Sequence, residues 1–365
     1  MAFSFFKKNK EDKSSDKYFN LTVKQIIQET SDAITVVFEQ PETKIKYKSG
    51  QFLTLIIPME GKEVRRAYSL CSSSFVDEDL AVTVKRVEGG LMSNYLPDEL
   101  NIGDKVKIME PMGTFTTEFK EDNKRHLVLF SGGSGITPML SIIKSTLTQE
   151  PNSILSLIYC NRNIDSIIFK DELAKWETNY EGRLHVIHIL DDAPMNWQGY
   201  SGLLNHDMLK SLFERIPDWG ENTTYLMCGP EGMMNNVETL LDGLNIPKDK
   251  IFKESFVQGT IKKEHAAETT SDEIVERVVT IIYDDEEHKV TVRPDTTILE
   301  AALDDDIDLP YSCQSGLCTA CRGKCTSGKV KLDEEEGLSE SELNDGYVLT
   351  CVGHPLTDDV VIEIG

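Results

Sequence analysis

Four cysteines carry the densest chemical signal in this 365-residue chain. Cys313, Cys318 and Cys321 form a C-x4-C-x2-C run, and Cys351 follows after 29 intervening residues. A loop that brings three thiolates together must wrap tightly, and Gly316 within it permits close backbone approach. Three local thiolates and one from a separate element suit a rhomb of two irons and two sulfides. Structural zinc also takes four thiolates, but usually from two C-x2-C pairs, and this segment has one. Cys325, just past the loop, is surplus to four ligands and is expected to be a structural thiol. No secretory pattern precedes the chain's first lysines, so a cytoplasmic, reducing compartment is expected, where crowded cysteines mean metal rather than disulfides.

Two further groups of residues suit a flat ring and its phosphates. Arg66-Ala67-Tyr68-Ser69 ends a strand-like run. Its guanidinium suits a phosphate in bidentate fashion, and its aromatic face suits a planar ring. Gly90-Leu91-Met92-Ser93 follows a glycine pair and could open a helix whose N–H groups and Ser93 hydroxyl face an anion. Each match alone is weak, since strand-end tyrosines usually pack and Gly-Gly is usually a turn.

A third group suits a dinucleotide. Ser131-Gly132-Gly133-Ser134-Gly135-Ile136-Thr137-Pro138 lies between an apolar run and a helix-like stretch. Glycines there let the backbone approach a pyrophosphate, and Pro138 fits a first helical turn. Cys228-Gly229-Pro230-Glu231-Gly232-Met233-Met234 likewise ends one run and begins another. Arg162, in Asn161-Arg162-Asn163, could simply pair at the surface with Asp165.

The elements that must position these residues fall into three segments. Residues 17–120 alternate apolar and polar positions in short runs (Ile34–Phe38, Phe52–Ile57, Leu80–Val84) broken by Gly and Pro, which predicts an antiparallel β-barrel. Residues 121–258 alternate apolar runs (His126–Phe130, Ser153–Tyr159, Leu184–Leu190, Thr224–Cys228) with helix-length stretches. Those helices start near Pro138, Asp171 and Asn205 and after Pro230, which predicts an α/β unit on a parallel sheet. Residues 259–276 are polar and read as a linker. Residues 277–365 predict a hairpin, with Val278–Ile282 and Lys289–Val292 flanking Asp284–Glu287. A helix over Ile298–Leu303 and the cysteine loop follow.

These motifs, in this order, resemble the ferredoxin–NADP reductase superfamily followed by a plant-type ferredoxin domain. Pro310–Cys318 and Cys321-Arg322-Gly323 match the ferredoxin cluster loop, and Gly-Gly-x-Gly-Ile-Thr-Pro matches the reductase turn. The resemblance implies a multi-domain fold: a flavin barrel, a nucleotide domain and a β-grasp ferredoxin domain. It implies that Tyr68 stacks on the isoalloxazine, Arg66 binds the pyrophosphate, Ser69 bonds the ring edge, and Gly90, Met92 and Ser93 cradle phosphate. It implies that Gly132, Gly133, Gly135, Ile136, Thr137 and Pro138 receive the nicotinamide nucleotide. Cys228, Gly229, Pro230 and Met233 would lie beside the nicotinamide. The flavin implied is FAD, with FMN as the alternative. Arg162 leans the donor to NADPH, with NADH possible. Cys313, Cys318, Cys321 and Cys351 would hold a [2Fe–2S] cluster.

One departure stands out: many relatives carry Gly-Arg where this chain has Ser201-Gly202-Leu203-Leu204. Glu254-Ser255-Phe256 closes the nucleotide segment, either as an ordinary strand end or with the aromatic residue that covers the flavin in relatives. With cofactors carrying the chemistry, no acid–base residue is expected. A flavin between a two-electron donor and a one-electron acceptor makes the chain an electron-transfer reductase. It is most similar to the reductase components of multicomponent oxygenases, which points to a di-iron oxygenase as partner. A Rieske dioxygenase, a desaturase or a hybrid-cluster protein is the alternative acceptor, and a cluster-based redox sensor the alternative function.

Charge bounds the partners. The formal net charge of −24 opposes nucleic-acid binding. Arg277–Gly365 carries 7 Lys+Arg against 20 Asp+Glu, a balance of −13, which serves solubility or docking to a basic partner. No run of about 18 uncharged apolar residues is present, so no membrane span is expected.

Overall fold

The computed structural model describes residues 17–59, 61–217, 219–256, 274–335 and 337–365. Up to residue 273, the linker expected at 259–276 lies outside the described residues. The described residues build three units, each around its own sheet.

The first unit is antiparallel. Its strands are β1 (Tyr18–Thr30), β2 (Ala33–Phe38), β3 (Phe52–Met59), β4 (Lys62–Ser69), β5 (Leu80–Lys85) and β6 (Lys105–Met109), in sheet order β4-β3-β6-β1-β2-β5. The edges meet just past β4, where Leu70 bridges Val82 and the Cys71 N–H donates to the Ala81 carbonyl at 2.9 Å. Closing the sheet removes its exposed edges. Alternation sends Leu53, Leu55, Val82, Val84 and Ile108 inward, each fully buried. Helix α1 (Leu91–Glu99) lays Met92 and Leu96 onto this core.

The second unit is a parallel sheet, ordered β10-β9-β8-β7-β11-β12. Its strands are β7 (His126–Gly132), β8 (Ile154–Asn161), β9 (Leu184–Leu190), β10 (Tyr200–Ser201), β11 (Thr223–Cys228) and β12 (Ile251–Glu254). Both faces are covered, which is why its central strands read as continuous apolar runs. Leu127, Leu129, Leu155 and Leu157 pack with helices α2 (Ile136–Gln149) and α3 (Lys170–Asn179). The alternate residues Val128, Phe130 and Ile158 pack with α4 (His206–Phe213) and α5 (Glu231–Gly243). Asn205 caps α4 by accepting from the Met208 N–H at 3.0 Å. The first two units share a core, since Ala33, Cys71 and Phe115 of the barrel belong to the same buried cluster as α2. Ser145 on α2 bonds both Ser49 at 2.6 Å and Ser73 at 2.8 Å across that junction.

The third unit has strands β13 (Arg277–Tyr283), β14 (Glu286–Val292), β15 (Arg322–Ser327), β16 (Val330–Leu332), β17 (Tyr347–Leu349), β18 (Gly353–Pro355) and β19 (Val361–Ile364). The main sheet runs β14-β13-β19-β15-β17, with β13 and β19 parallel. The β13–β14 turn places Asp284 and Asp285 at φ 54° and 62°, the left-handed pair a tight hairpin demands. Helix α6 (Ile298–Asp304) is capped by the reciprocal pair Thr297 and Glu300 and buries Ile298, Leu299 and Ala302 against the sheet. A short helix α7 (Glu340–Asn344) precedes β17. This unit's buried cluster contains only its own residues.

Candidate cofactor sites

The flavin motif lies on β4. Arg66 and Tyr68, two residues apart, share one face of the strand. The Arg66 Nη1 donates to the Arg65 carbonyl at 2.7 Å, which sets the guanidinium along the strand and leaves its other donors for a ligand. Burial raises the Tyr68 phenol well above its ordinary pKa, so it stays neutral and presents a ring. Gly90 caps α1 with no side-chain bond, so the first-turn N–H groups stay open to an anion. A Cβ on Gly90 would meet the Ser93 Oγ at 2.4 Å, which explains the glycine. The Met92 side chain is buried in the barrel core, so only its backbone is offered at this site. The Ser93 hydroxyl accepts from the Val87 N–H at 3.3 Å and holds the loop before α1.

The nucleotide motifs meet at the C-terminal edge of the parallel sheet, where ligands bind in such folds. Register aligns Ser131 on β7 with Cys228 on β11, and Cys228 with Glu254 on β12. The two turns interlock. A Cβ on Gly135 would lie 2.0 Å from the Cys228 carbonyl oxygen, and one on Gly132 would lie 2.4 Å from Pro230 Cδ. A Cβ on Gly229 would meet Met233 Cε at 2.7 Å and the Gly132 nitrogen at 2.8 Å. Gly133, at φ 53°, is open above, and its carbonyl accepts from the Tyr159 hydroxyl at 3.1 Å. Ile136, Thr137 and Pro138 are buried and seat α2, with the Thr137 hydroxyl bonded to the Ser134 carbonyl at 3.0 Å. The Ser131 hydroxyl is buried without a hydrogen-bond partner, an orphan that a nucleotide beside the turn would satisfy.

Arg162 is exposed, and its carbonyl accepts from the Asp192 N–H at 2.7 Å. Asp191 and Asp192 line a recess with Met195, Trp197, Ser201 and Gly202. Burial raises the Asp191 carboxyl, and the Arg162 charge draws it back down, so the two side chains share one electrostatic neighbourhood.

Two residues at these sites take roles that the sequence reading did not assign them. Lys85, at the end of β5, brings its ammonium to 3.7 Å from where a Gly133 Cβ would lie, a cation at the mouth of the turn. Glu254 is more than an ordinary strand end. Its Oε2 accepts from the Ser69 hydroxyl at 3.0 Å, joining the barrel to the nucleotide unit. Burial pushes its carboxyl up to about 7, partly offset by the Ser69 bond. No local pattern marks either residue, because each acts through partners distant in sequence. Phe256, the aromatic residue two positions on, is 40% exposed.

A carboxyl titrating near neutrality beside Ser69 can hold a proton or release it at working pH. Glu254→Gln is expected to slow flavin reduction by NAD(P)H by about tenfold to a hundredfold and to flatten its pH profile around pH 7. Stopped-flow rates across roughly three pH units centred on pH 7 check this; an unchanged profile refutes it. The folded state favours the protonated carboxyl, so this group's contribution to stability falls as pH rises from about 4.3 through about 7.

The cluster motif is drawn together by the third unit. Gln314 at φ 55° and Gly316 at φ 73° turn the chain around the loop. A Cβ on Gly316 would lie 2.7 Å from Glu334 Cβ, so the loop has no space for a side chain there. Cys321 leads into β15, whose Arg322 pairs with Leu349 of β17, two residues before Cys351. The Thr350 N–H and hydroxyl both donate to the Cys321 carbonyl at 3.1 Å, tying the fourth cysteine to the third. Cys313 lies in hydrogen-bonding contact with Cys318 and Cys351, whose thiols hold its sulfur well below the usual thiol range, and Cys351 also contacts Cys321. The four thiols thus form one chain of contacts, Cys318–Cys313–Cys351–Cys321, while among the described residues no group of three or more is spaced to hold a single metal ion. Ser312, 2% exposed, has an orphaned hydroxyl beside the loop, which suits a donor to cluster sulfur. Cys325 stands apart, with its Sγ donating to the Ser327 carbonyl at 3.1 Å.

Comparison with known proteins assigns each unit. Residues 18–117 match the oxidoreductase FAD-binding domain, 129–239 the oxidoreductase NAD-binding domain, and 281–356 the 2Fe-2S iron-sulfur cluster binding domain. With the geometry above, these make the chain a flavin- and iron–sulfur-dependent oxidoreductase of the electron-transfer class. The chain belongs to the ferredoxin–NADP reductase superfamily, in the group whose flavin and nucleotide domains are joined to a plant-type [2Fe–2S] domain. It is 34% identical over 350 residues to a subunit of 1,2-phenylacetyl-CoA epoxidase from Escherichia coli, covering 95% of this chain and 97% of that one. It is 35% identical over 351 residues to the ferredoxin reductase component of 3-ketosteroid-9-alpha-monooxygenase from Rhodococcus rhodochrous, covering 94% and 96%. Phthalate dioxygenase reductase shares its fold with a TM-score of 0.59 at 23% identity, over 96% of this chain and 99% of that one. No helix among the described residues is long and apolar enough to cross a membrane.

Proposed function

We propose that the chain takes a hydride from NADPH and feeds the electrons singly, through its C-terminal unit, to an oxygenase of the phenylacetyl-CoA epoxidase type. The carrying observation is the similarity to the 1,2-phenylacetyl-CoA epoxidase component, which runs through all three units in the same order. The bound flavin would accept two electrons and release one at a time, and the protein positions its partners. Arg66 and the open N-terminus of α1 would hold the FAD phosphates, and Tyr68 would stack on the ring. The Gly132–Gly135 turn, with Lys85 above it, would take the nicotinamide dinucleotide, and the segment from Cys228 to Met233 would floor the nicotinamide. The four cysteines would hold the cluster.

NADPH is favoured over NADH because Arg162 forms no ion pair among the described residues. The alternative pairing with Asp165 is not made, and the exposed guanidinium, with Asp191 as its charged neighbour, would turn to a 2′-phosphate. Arg162→Ala is expected to raise KM for NADPH by about tenfold while leaving that for NADH within about twofold. Equal effects on the two donors would contradict this.

The function is tested by anaerobic titration of the loaded protein with NADPH, followed by reconstitution with a phenylacetyl-CoA epoxidase. Bleaching of flavin and cluster absorption together, and NADPH-dependent epoxide formation, are expected. A second reading has its own support in the 3-ketosteroid and glycine betaine monooxygenase reductases, 35% and 30% identical over similar lengths. Turnover with one of those oxygenases and none with the epoxidase would favour it.

A further inference from the structure

Arg65 precedes the flavin motif and belongs to none of the sites above, yet it is only 7% exposed. The sheet explains where it points. Lys107 on β6, Ile56 on β3 and Arg65 on β4 are directly opposite one another, so they share one face. Leu55 and Ile57 fill the barrel core, so this row faces outward. Ile56 is nevertheless 2% exposed. Beside this outward apolar side chain, Arg65 meets Tyr311 and Asp308 of the third unit, so that unit lies against this face.

The contact itself is built from few groups. The Arg65 guanidinium lies over the Tyr311 ring at 4.2 Å and 3.5 Å from the Asp308 carboxylate. Tyr18, at the start of β1, donates its hydroxyl to Asp308 at 2.9 Å and accepts from the Arg65 Nη1 at 3.3 Å. Lys17 bonds Asp284 at 2.6 Å and lies over the Tyr283 ring at 4.1 Å. The cationic side is thus the barrel and the anionic side the acidic third unit. Tyr311 stands two residues before Cys313, and Arg65 stands next to Arg66. The contact therefore joins the strand of the flavin motif to the loop of the cluster motif.

We propose that Arg65 is a positioning residue: through Tyr311 and Asp308 it seats the ferredoxin unit on the flavin barrel with the cluster loop turned toward β4. The latch is reversible. Arg65 Nε is buried without a partner, the Asp308 side chain is 59% exposed, and the charge pairs are few. Burying a guanidinium with an unmet donor costs free energy that the stack and the shared carboxylate offset only in part. Ions reach these pairs from their solvent-facing carboxylates, Asp308 and Asp284, and screen them from that side. A covalently attached unit needs little intrinsic affinity to stay seated, so a weak latch suffices and a partner can displace it.

This inference rests on the electron path proposed above, and its test separates the two. Full-length, cofactor-loaded protein is compared with Arg65→Ala and, on the other side of the contact, Tyr311→Leu, which leaves the barrel intact. X-ray scattering at low salt is expected to show the wild type compact and both variants expanded, matching the wild type at high salt. Rapid mixing with NADPH is expected to show flavin reduction unchanged and cluster reduction slowed by about tenfold or more, because a small displacement of the seat costs that much. If Arg65→Ala is not soluble, Tyr311→Leu alone decides. Scattering profiles and cluster reduction both like the wild type would overturn the latch. A wild-type cluster that NADPH never reduces would overturn the electron path instead.

Discussion

Cys351→Ser yields a protein whose flavin NADPH still reduces but which passes almost no electrons to a one-electron acceptor protein. The serine fits the space, so the fold has little reason to change. What changes is the ligand, because a hydroxyl does not ionise near neutral pH whereas a thiol in metal contact does. Cys351 is also the one cysteine of the four that comes from outside the loop, held to Cys321 by Thr350. Its loss leaves three thiols on a loop whose closure depends on the fourth. Iron and acid-labile sulfide per chain should fall to near zero, and cytochrome c reduction by about a hundredfold or more, on the scale of losing a cofactor. Ferricyanide reduction, which draws on the flavin directly, should persist. Cys325→Ser is the control: its sulfur bonds only backbone carbonyls, and full cluster content is expected. A Cys351→Ser protein with normal iron and sulfide would refute the assignment.

The second large effect comes from a single methyl group. Gly135 sits at the start of α2 with φ −60° and ψ −11°, a helical conformation that alanine prefers. Helix propensity alone would make Gly135→Ala stabilising by about 1 kcal/mol. The added Cβ, however, would lie 2.0 Å from the Cys228 carbonyl oxygen and 2.5 Å from its carbon. Those are backbone atoms at the end of a buried strand, so they cannot rotate away, and overpacking of this kind costs about 1–3 kcal/mol or more. The expected result is a net loss of stability, the opposite sign to propensity, with a melting temperature lower by several degrees (about 2–4 °C per kcal/mol). Reduction of the flavin by NADPH should fall by about a hundredfold if, as proposed, the Cys228–Met233 turn floors the nicotinamide, because separating the two turns displaces it. Gly232→Ala, in the first turn of α5 with nothing near its Cβ, should be neutral or slightly stabilising. Thermal melts of both variants and stopped-flow reduction decide the matter. A stable, fast Gly135→Ala would sink the interlock.

The three-unit architecture is legible in the sequence because it is written in local signals. The parallel strands announce themselves as uninterrupted apolar runs, buried on both faces. The first helix after the glycine turn begins at Ile136, two residues before the expected Pro138, because the 3-10 turn at Gly133–Gly135 leads directly into it. Strand β1 has no clear sequence signal, and its burial pattern shows why. It runs 13 residues with register shifts at Val23/Gln25 and Gln28/Thr30, so its side chains do not keep one alternating phase. The residues that only the structure brings forward, Lys85, Glu254 and Arg65, share a different cause. Ser69 and Glu254 meet across 185 positions, and Arg65 finds its partners in another unit. Such roles come from tertiary placement and leave no periodic trace.

The shared core of the first two units bears on how such chains are assembled over evolutionary time. Barrel residues Ala33, Cys71 and Phe115 complete the packing of α2, and Glu254 meets Ser69 across the same junction. Recombination that separated these halves would strand an unfinished hydrophobic interior and break the Ser69–Glu254 contact. The C-terminal unit closes its interior with its own residues, so exchanging it would leave every hydrophobic interior whole. Gene shuffling can replace it, or move it to the other end, at the cost of re-establishing one small polar seat.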